Sequence, residues 1–260
     1  MPNQADLIKT ALAYEKKRQQ LLKQGKIKAV LQTYQQQQVF LPDNNTGQFW
    51  DQYYADPNHQ QEYPMESWKL NLVVKELDLD SSLLNIGVGD GKLEQRLINK
   101  LQPGQKLDYC GTDFTKKLLN QLKKRFSSLK FKYQKNLTKL SFKDHSFDQI
   151  VVLEVLEHIK PKQTFAVLHE LYRILTPQGK LLLSVPVNEG LAAMLPANPN
   201  SHMRIYSQEL LTFELEQAGF QVQKIYQASA FAKFFWLKHY LNQLFQFRQP
   251  NNLLVKATKL

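Results

Sequence analysis

The chain has 260 residues, 43% hydrophobic and 22% charged, with 34 Lys+Arg against 23 Asp+Glu. That length and apolar share can build one large core or two small ones, and they exclude disordered, collagen-like and disulfide-scaffold classes. A single cysteine, Cys110, excludes an internal disulfide and a cysteine cage for zinc. With neither a charged-then-apolar leader nor an apolar run of about 18 residues, the sequence reads as soluble and cytoplasmic.

The net charge of +11 is concentrated rather than spread: 14 Lys+Arg and only three acids (Glu94, Asp108, Asp113) lie between Lys92 and Lys143, and the remainder is balanced. Lysine dominates, 28 against six arginines, whereas bidentate phosphate and base readout favours arginine. The charge therefore predicts a basic flank that keeps the protein soluble or rests it on an acidic surface. Nucleic acid is not the expected partner.

Residues 1–48 form a Gln/Lys-rich zone with ten glutamines, including the run Gln35-Gln36-Gln37-Gln38. Leu7, Ile8, Leu12, Leu21, Leu22, Ile27, Val30 and Leu31 recur loosely at helical spacing. They predict an N-terminal helical arm of one or two helices, closed by Pro42-Asp43-Asn44-Asn45-Thr46-Gly47. Such an arm either packs on the body or covers a partner or substrate. An aromatic cap follows over 49–76, opening on Phe49-Trp50-Asp51-Gln52-Tyr53-Tyr54.

From Ser82 short apolar runs alternate with amphipathic stretches. The runs are 83–86, 107–110, 129–133, 147–153, 179–185, 220–225 and 252–257; helix-like segments lie at about 91–101, 115–126, 161–175 and 207–218. Thr115 and Ser207 stand where N-caps belong. This alternation predicts an α/β, Rossmann-like, mostly parallel sheet with helices on both faces. The cofactor core spans 77–187, followed by a Pro- and Asn-rich loop over 188–206 and an aromatic insert over 229–247.

Ligands of such sheets bind beyond the carboxyl ends of the strands. The first run ends in Asn85-Ile86-Gly87-Val88-Gly89-Asp90-Gly91-Lys92. Glycines there let backbone approach a ligand at a helix N-terminus. The spacing is G-x-G-x-G; a dinucleotide loop would need a third glycine at Lys92. The second run ends in Gly111-Thr112-Asp113, and an acid at that strand tip can accept hydrogen bonds from ribose hydroxyls. Loop and acid together predict a nucleoside-containing cofactor.

From about Phe49 onward the sequence resembles the class I S-adenosylmethionine-dependent methyltransferases, in particular the type 11, ubiquinone-biosynthesis-like O-methyltransferase group. The glycine loop resembles their first motif and Asp113 their ribose acid. Residues 140–148, the block Val152-Leu153-Glu154-Val155-Leu156-Glu157-His158-Ile159, the approach Arg173-Ile174-Leu175-Thr176-Pro177-Gln178-Gly179, and His202-Met203-Arg204-Ile205-Tyr206-Ser207 before Ala218-Gly219-Phe220 resemble later motifs in order. The resemblance implies a seven-stranded sheet and S-adenosyl-L-methionine as cofactor. It assigns Asn85, Gly87, Gly89, Gly91 and Glu154 to the methionine end, Asp113 to the ribose, and Asn136 with Leu137 to the adenine. Three departures stand out: Asn85 and Asn136 replace the family's acids, and Gln178 replaces a glycine.

Displacement at an activated methyl needs mainly positioning, and a base only where the acceptor loses a proton. His158, Glu157 and His202 are the catalytic candidates, His158 foremost because an imidazole titrates near neutrality. Glu154-x-x-Glu157-His158 could instead converge on one divalent cation, as in ubiquinone-pathway and small-RNA 2′-O-methyltransferases. The block also occurs in metal-free relatives, and the metal-free reading is preferred. His202 can join only if the 188–206 loop folds over, and Arg204 binds an acidic substrate or pairs with a glutamate. The reading is methyl transfer, O-directed, to a small molecule, lipid or glycan; RNA 2′-O-methylation and a non-catalytic cofactor-binding module are the alternatives. The aromatic insert packs on the sheet, or else it or the basic flank makes peripheral membrane contact.

Overall fold

The computed structural model describes residues 4–37, 43–190, 197–231 and 233–260. Gln38 of the glutamine run, Pro42 of the loop signal, residues 191–196 of the acceptor loop and Ala232 of the insert lie outside the described residues. Among those described, no helix is long and apolar enough to cross a membrane.

Seven strands form one sheet in the order β3-β2-β1-β4-β5-β7-β6. They are β1 (Leu83–Ile86), β2 (Tyr109–Asp113), β3 (Lys130–Tyr133), β4 (Phe147–Leu153), β5 (Leu175–Pro186), β6 (Phe220–Ala228) and β7 (Asn252–Lys259). All neighbours pair in parallel except β7, which runs antiparallel to both β5 and β6. Strands buried on both faces read as unbroken apolar runs because alternate residues enter opposite cores. Leu84, Ile150, Leu181 and Val255 join one core, and their neighbours Leu83, Val151, Leu182 and Leu254 join the other.

The second core is closed by α5 (Pro64–Glu76), α6 (Lys92–Lys100) and α7 (Lys116–Arg125). The first is closed by α8 (Thr164–Ile174) and α9 (Gln208–Gln217). On α7, Leu118, Leu119 and Leu122 face inward while its lysines face water, the stripe expected of an amphipathic surface helix. Ser207 caps α9 by accepting from the Leu210 N–H. Thr115 does not cap α7: Asp113 Oδ1 accepts the Thr115 N–H at 2.9 Å, and the Thr115 hydroxyl is buried without a partner.

Two helices, α1 (Gln4–Lys23) and α2 (Ile27–Gln37), precede the body. Val30 is buried in the first core, with Leu21, Leu22, Ile27 and Leu31 packed around it, and Arg18 donates to the Ile205 carbonyl. The arm lies against the body. Next come α3 (Gly47–Ala55) and the single turn α4 (Pro57–Gln60), which carry the aromatic cap; a last helix, α10 (Phe235–Phe245), interrupts the path from β6 to β7.

Candidate active site

The strand β1 ends in a loop whose three glycines all have positive φ: Gly87 +76°, Gly89 +56° and Gly91 +83°. An added Cβ on Gly87 would collide with Val155 Cγ2, and one on Gly91 would stand 2.7 Å from Leu122 and Phe126. Backbone conformation and close packing both demand glycine here. Gly91 begins α6 without a side-chain cap, so the helix N-terminus keeps N–H groups for a ligand. Lys92, at the missing third glycine, bridges Glu66 of α5 and Asp90, each at 3.1 Å.

Asp113 sits at the tip of β2. Burial raises its pKa, while backbone N–H groups of Thr115, Phe114 and Gly89 oppose the rise. Tyr54 of α3 leans over the loop, its hydroxyl 3.2 Å from where a Cβ on Gly89 would stand. Burial, with the Asp113 and Asp90 carboxylates, pushes that phenol far above its ordinary range. Loop, helix N-terminus, acid and aromatic cover together fit an S-adenosylmethionine cradle.

Two residues assigned to the cofactor already have side-chain or backbone partners within the protein. Asn85 is buried, and its Nδ2 donates to Glu94 Oε1 at 2.8 Å; Tyr109 donates to the same oxygen. It completes a buried polar trio behind the loop. Asn136 is exposed, and its Oδ1 accepts both the backbone N–H and the hydroxyl of Thr138. Both lone pairs are taken, so the side chain has no free acceptor for an adenine amine. Leu137 is half-buried and packs on the first core.

Glu154 follows β4 in a left-handed conformation, φ +52°. Its carboxylate accepts from Lys69 Nζ at 2.8 Å, Ser184 Oγ at 2.5 Å and Asn252 Nδ2 at 2.9–3.0 Å. Burial alone would raise its pKa, but Lys69 and these hydrogen bonds hold it below the ordinary value. Ser184 is reachable from the rule that strand ends make sites. Asn252 is hidden because β7 runs antiparallel and brings its first residue to that edge. Nothing in the sequence separates Lys69 from the other lysines.

Glu157 is fully buried, and neither carboxylate oxygen has a hydrogen-bond partner. Burial, reinforced by Glu154, pushes its pKa well above the ordinary value. Glu157, His158 and His202 can each offer one ligand atom within 4.8 Å of the others. The loop past β5 does fold over: Met203 N–H donates to the Glu157 carbonyl at 2.7 Å. His158 Nδ1 lies 3.2 Å from the Ser201 carbonyl, and His202 Nδ1 lies 2.9 Å from the Glu189 carboxylate. Both partners accept, so each Nδ1 carries a proton. The expectation that His158 titrates near neutrality is overturned. Burial, then His202, pushes it down to about 4, so the ring is neutral and a weak base.

The aromatic cap covers this cluster. Trp50 meets the His158 ring edge-on at 4.9 Å, and Asn45 donates to both His158 and Ser201 carbonyls. Arg204 is not in the site. It pairs with Glu214 at 2.7 Å, both side chains wholly buried, and also reaches Tyr206.

Residues 84–181 match the family described as "Methyltransferase domain". Within that span the chain carries a methyltransferase domain. No curated protein matches it significantly. Among solved structures it is similar to an S-adenosylmethionine-dependent methyltransferase from Methanosarcina mazei (20% identity, 77% of this chain and 99% of that one, TM-score 0.56). A second similar structure is an S-adenosylmethionine-dependent methyltransferase from Mesorhizobium loti (14% identity, 75% and 100%, TM-score 0.57). A third is the [4+2]-cyclase SpnF (16% identity, 75% and 80%, TM-score 0.56). At these identities the likeness concerns the fold, and the cyclase shows why the acceptor must be argued from the site.

Proposed function

We propose that the methyltransferase domain moves the methyl of S-adenosylmethionine onto an oxygen of a small-molecule or lipid-type acceptor, with Glu157, His158 and His202 holding a divalent cation beside that oxygen. The observation that carries this is the pair of buried Glu157 oxygens without a hydrogen-bond partner, with two imidazoles around them. Metal-binding histidines donate their other ring N–H to a carbonyl or carboxylate, the arrangement made here by Ser201 and Glu189. Relative to the sequence expectation, His202 enters the cluster and Glu154 leaves it for Lys69, Ser184 and Asn252.

A bound divalent cation supplies Lewis acidity that lowers the pKa of an acceptor hydroxyl. The chain's residues supply the rest. The glycine loop, the α6 N-terminus and Asp113 would hold the methyl donor, and the Glu157 carboxylate with the two imidazoles would hold the cation. Trp50, Tyr54 and the 197–204 segment would cover the bound pair, so that an acceptor oxygen which has given up its proton could displace the methyl and leave S-adenosylhomocysteine behind. The basic flank lies on α6, β2, α7 and β3, with β3 the edge strand furthest from β6. That supports a small acceptor over RNA.

Incubating the chain with labelled S-adenosylmethionine and fractionated extract, then identifying the methylated product by mass, tests the reading. Label in a small-molecule or lipid fraction, abolished by EDTA and restored by Mg²⁺ or Mn²⁺, is expected. Transfer indifferent to EDTA removes the metal, and label confined to RNA moves the acceptor class.

A further inference from the structure

The path from β6 to β7 leaves the sheet at Ala228 and returns at Asn252, with α10 between. Its inner stripe is anchored: Phe235, His239 and Asn242 are buried, His239 packs on Trp68 of α5 at 4.7 Å, and Asn242 bonds Ser229 and both backbone groups of Arg248. The outer stripe has no cover among the described residues. Phe234, Trp236, Leu237, Tyr240, Phe245 and Phe247 are each 58–75% exposed. Elsewhere among the described residues, exposed large hydrophobics occur singly, at Leu12, Tyr63, Tyr133 and Leu260. One contiguous aromatic face on an otherwise ordinary surface marks an interaction site.

We propose that this face docks the protein on the anionic surface of a lipid bilayer. The charge pattern selects that occupant. From Ser229 to Asn251 there is no acidic residue, while Lys233, Lys238 and Arg248 flank the aromatics. Trp and Tyr with Lys and Arg beside apolar side chains is the composition that settles at the headgroup boundary. A two-fold pairing of copies through the same face would set these cations against their own images, without an acid to pair them. The face also lies at the carboxyl edge of the sheet, since Asn252, where the excursion ends, holds Glu154. The proposal concerns binding, so its test does not depend on turnover or metal.

The test is co-sedimentation of the full chain with phosphatidylcholine vesicles, with and without phosphatidylglycerol. The native chain should bind the anionic vesicles and release with salt. Lys233→Glu/Lys238→Glu should lose roughly tenfold or more in partition, each cation near such a surface being worth about fivefold. Trp236→Ser/Leu237→Ser/Tyr240→Ser should lose at least about tenfold on the same vesicles. Should the triple variant misfold, Trp236→Ser alone carries the comparison. A native chain that stays in the supernatant, or variants that bind as it does, would overturn the proposal. So would a concentration-dependent dimer in ultracentrifugation that the triple variant abolishes.

Discussion

The rings of His158 and His202 meet edge-on with centroids 5.0 Å apart, each anchored through Nδ1 and each beside the buried carboxylate of Glu157. Without a cation, that carboxylate is a buried polar group with no partner, which costs about 1–3 kcal/mol. Glu157→Gln should therefore leave stability in EDTA unchanged or raise it by up to about that amount. The same variant should lose the stabilisation that divalent cations give the native chain. Urea unfolding with chelator and with Mn²⁺ checks both halves.

Glu94 offers a pH prediction away from the metal cluster. Burial, only partly opposed by Tyr109 and Asn85, raises its pKa above 4.5. A carboxyl with a raised folded-state pKa adds stability below its unfolded pKa and loses it as pH climbs through the folded value. Glu94→Gln removes the titration. The stability difference between variant and native chain should move in the variant's favour from about pH 4.5 upward, by at most about 1.4 kcal/mol per unit. Urea unfolding at several pH values gives the slope.

Arg204 and Glu214 form an ion pair with both side chains at 0% exposure. Removing one partner strands the other charge, so Arg204→Met should cost about 3–5 kcal/mol. A residue that bound acidic substrate would instead raise KM in a stable protein. Thermal unfolding, read beside KM once an acceptor is known, separates the two roles.

Gln178 stands where related sequences carry glycine, and its φ is +63° with the side chain exposed. The left-handed region costs a non-glycine residue roughly 1–2 kcal/mol, while glycine's looser unfolded chain gives back part of any gain. Gln178→Gly should stabilise by about 0.5–1 kcal/mol and leave activity unchanged. Denaturant midpoints at constant slope check it.

How much of this is legible in the sequence depends on what each residue faces. Strands β1 and β4 are buried on both faces, so their apolar runs coincide with the strands observed. The run read as 107–110 becomes Tyr109–Asp113, because Gly111, Thr112 and Asp113 are polar or small yet still pair with β3. The strand β6 outlasts its apolar run by Tyr226, Gln227 and Ala228, since an edge strand with one wet side tolerates polar residues. The glycine loop is readable because only glycine tolerates that turn. The site past β4 is less so. Spacing alone groups Glu154 with Glu157 and His158, whereas Lys69 draws Glu154 away and the folded loop supplies His202. Neither event leaves a local signal, since both join residues far apart in the chain.

The claim on which the account turns is that Glu157, His158 and His202 form one cation site. Titrating the metal-stripped chain with Mn²⁺ and following free Mn²⁺ by electron paramagnetic resonance tests it directly. The account predicts one site per chain, lost in Glu157→Gln and in His202→Asn while both variants still bind S-adenosylhomocysteine. A chain that takes up no Mn²⁺, or variants that bind it with native affinity, would contradict it.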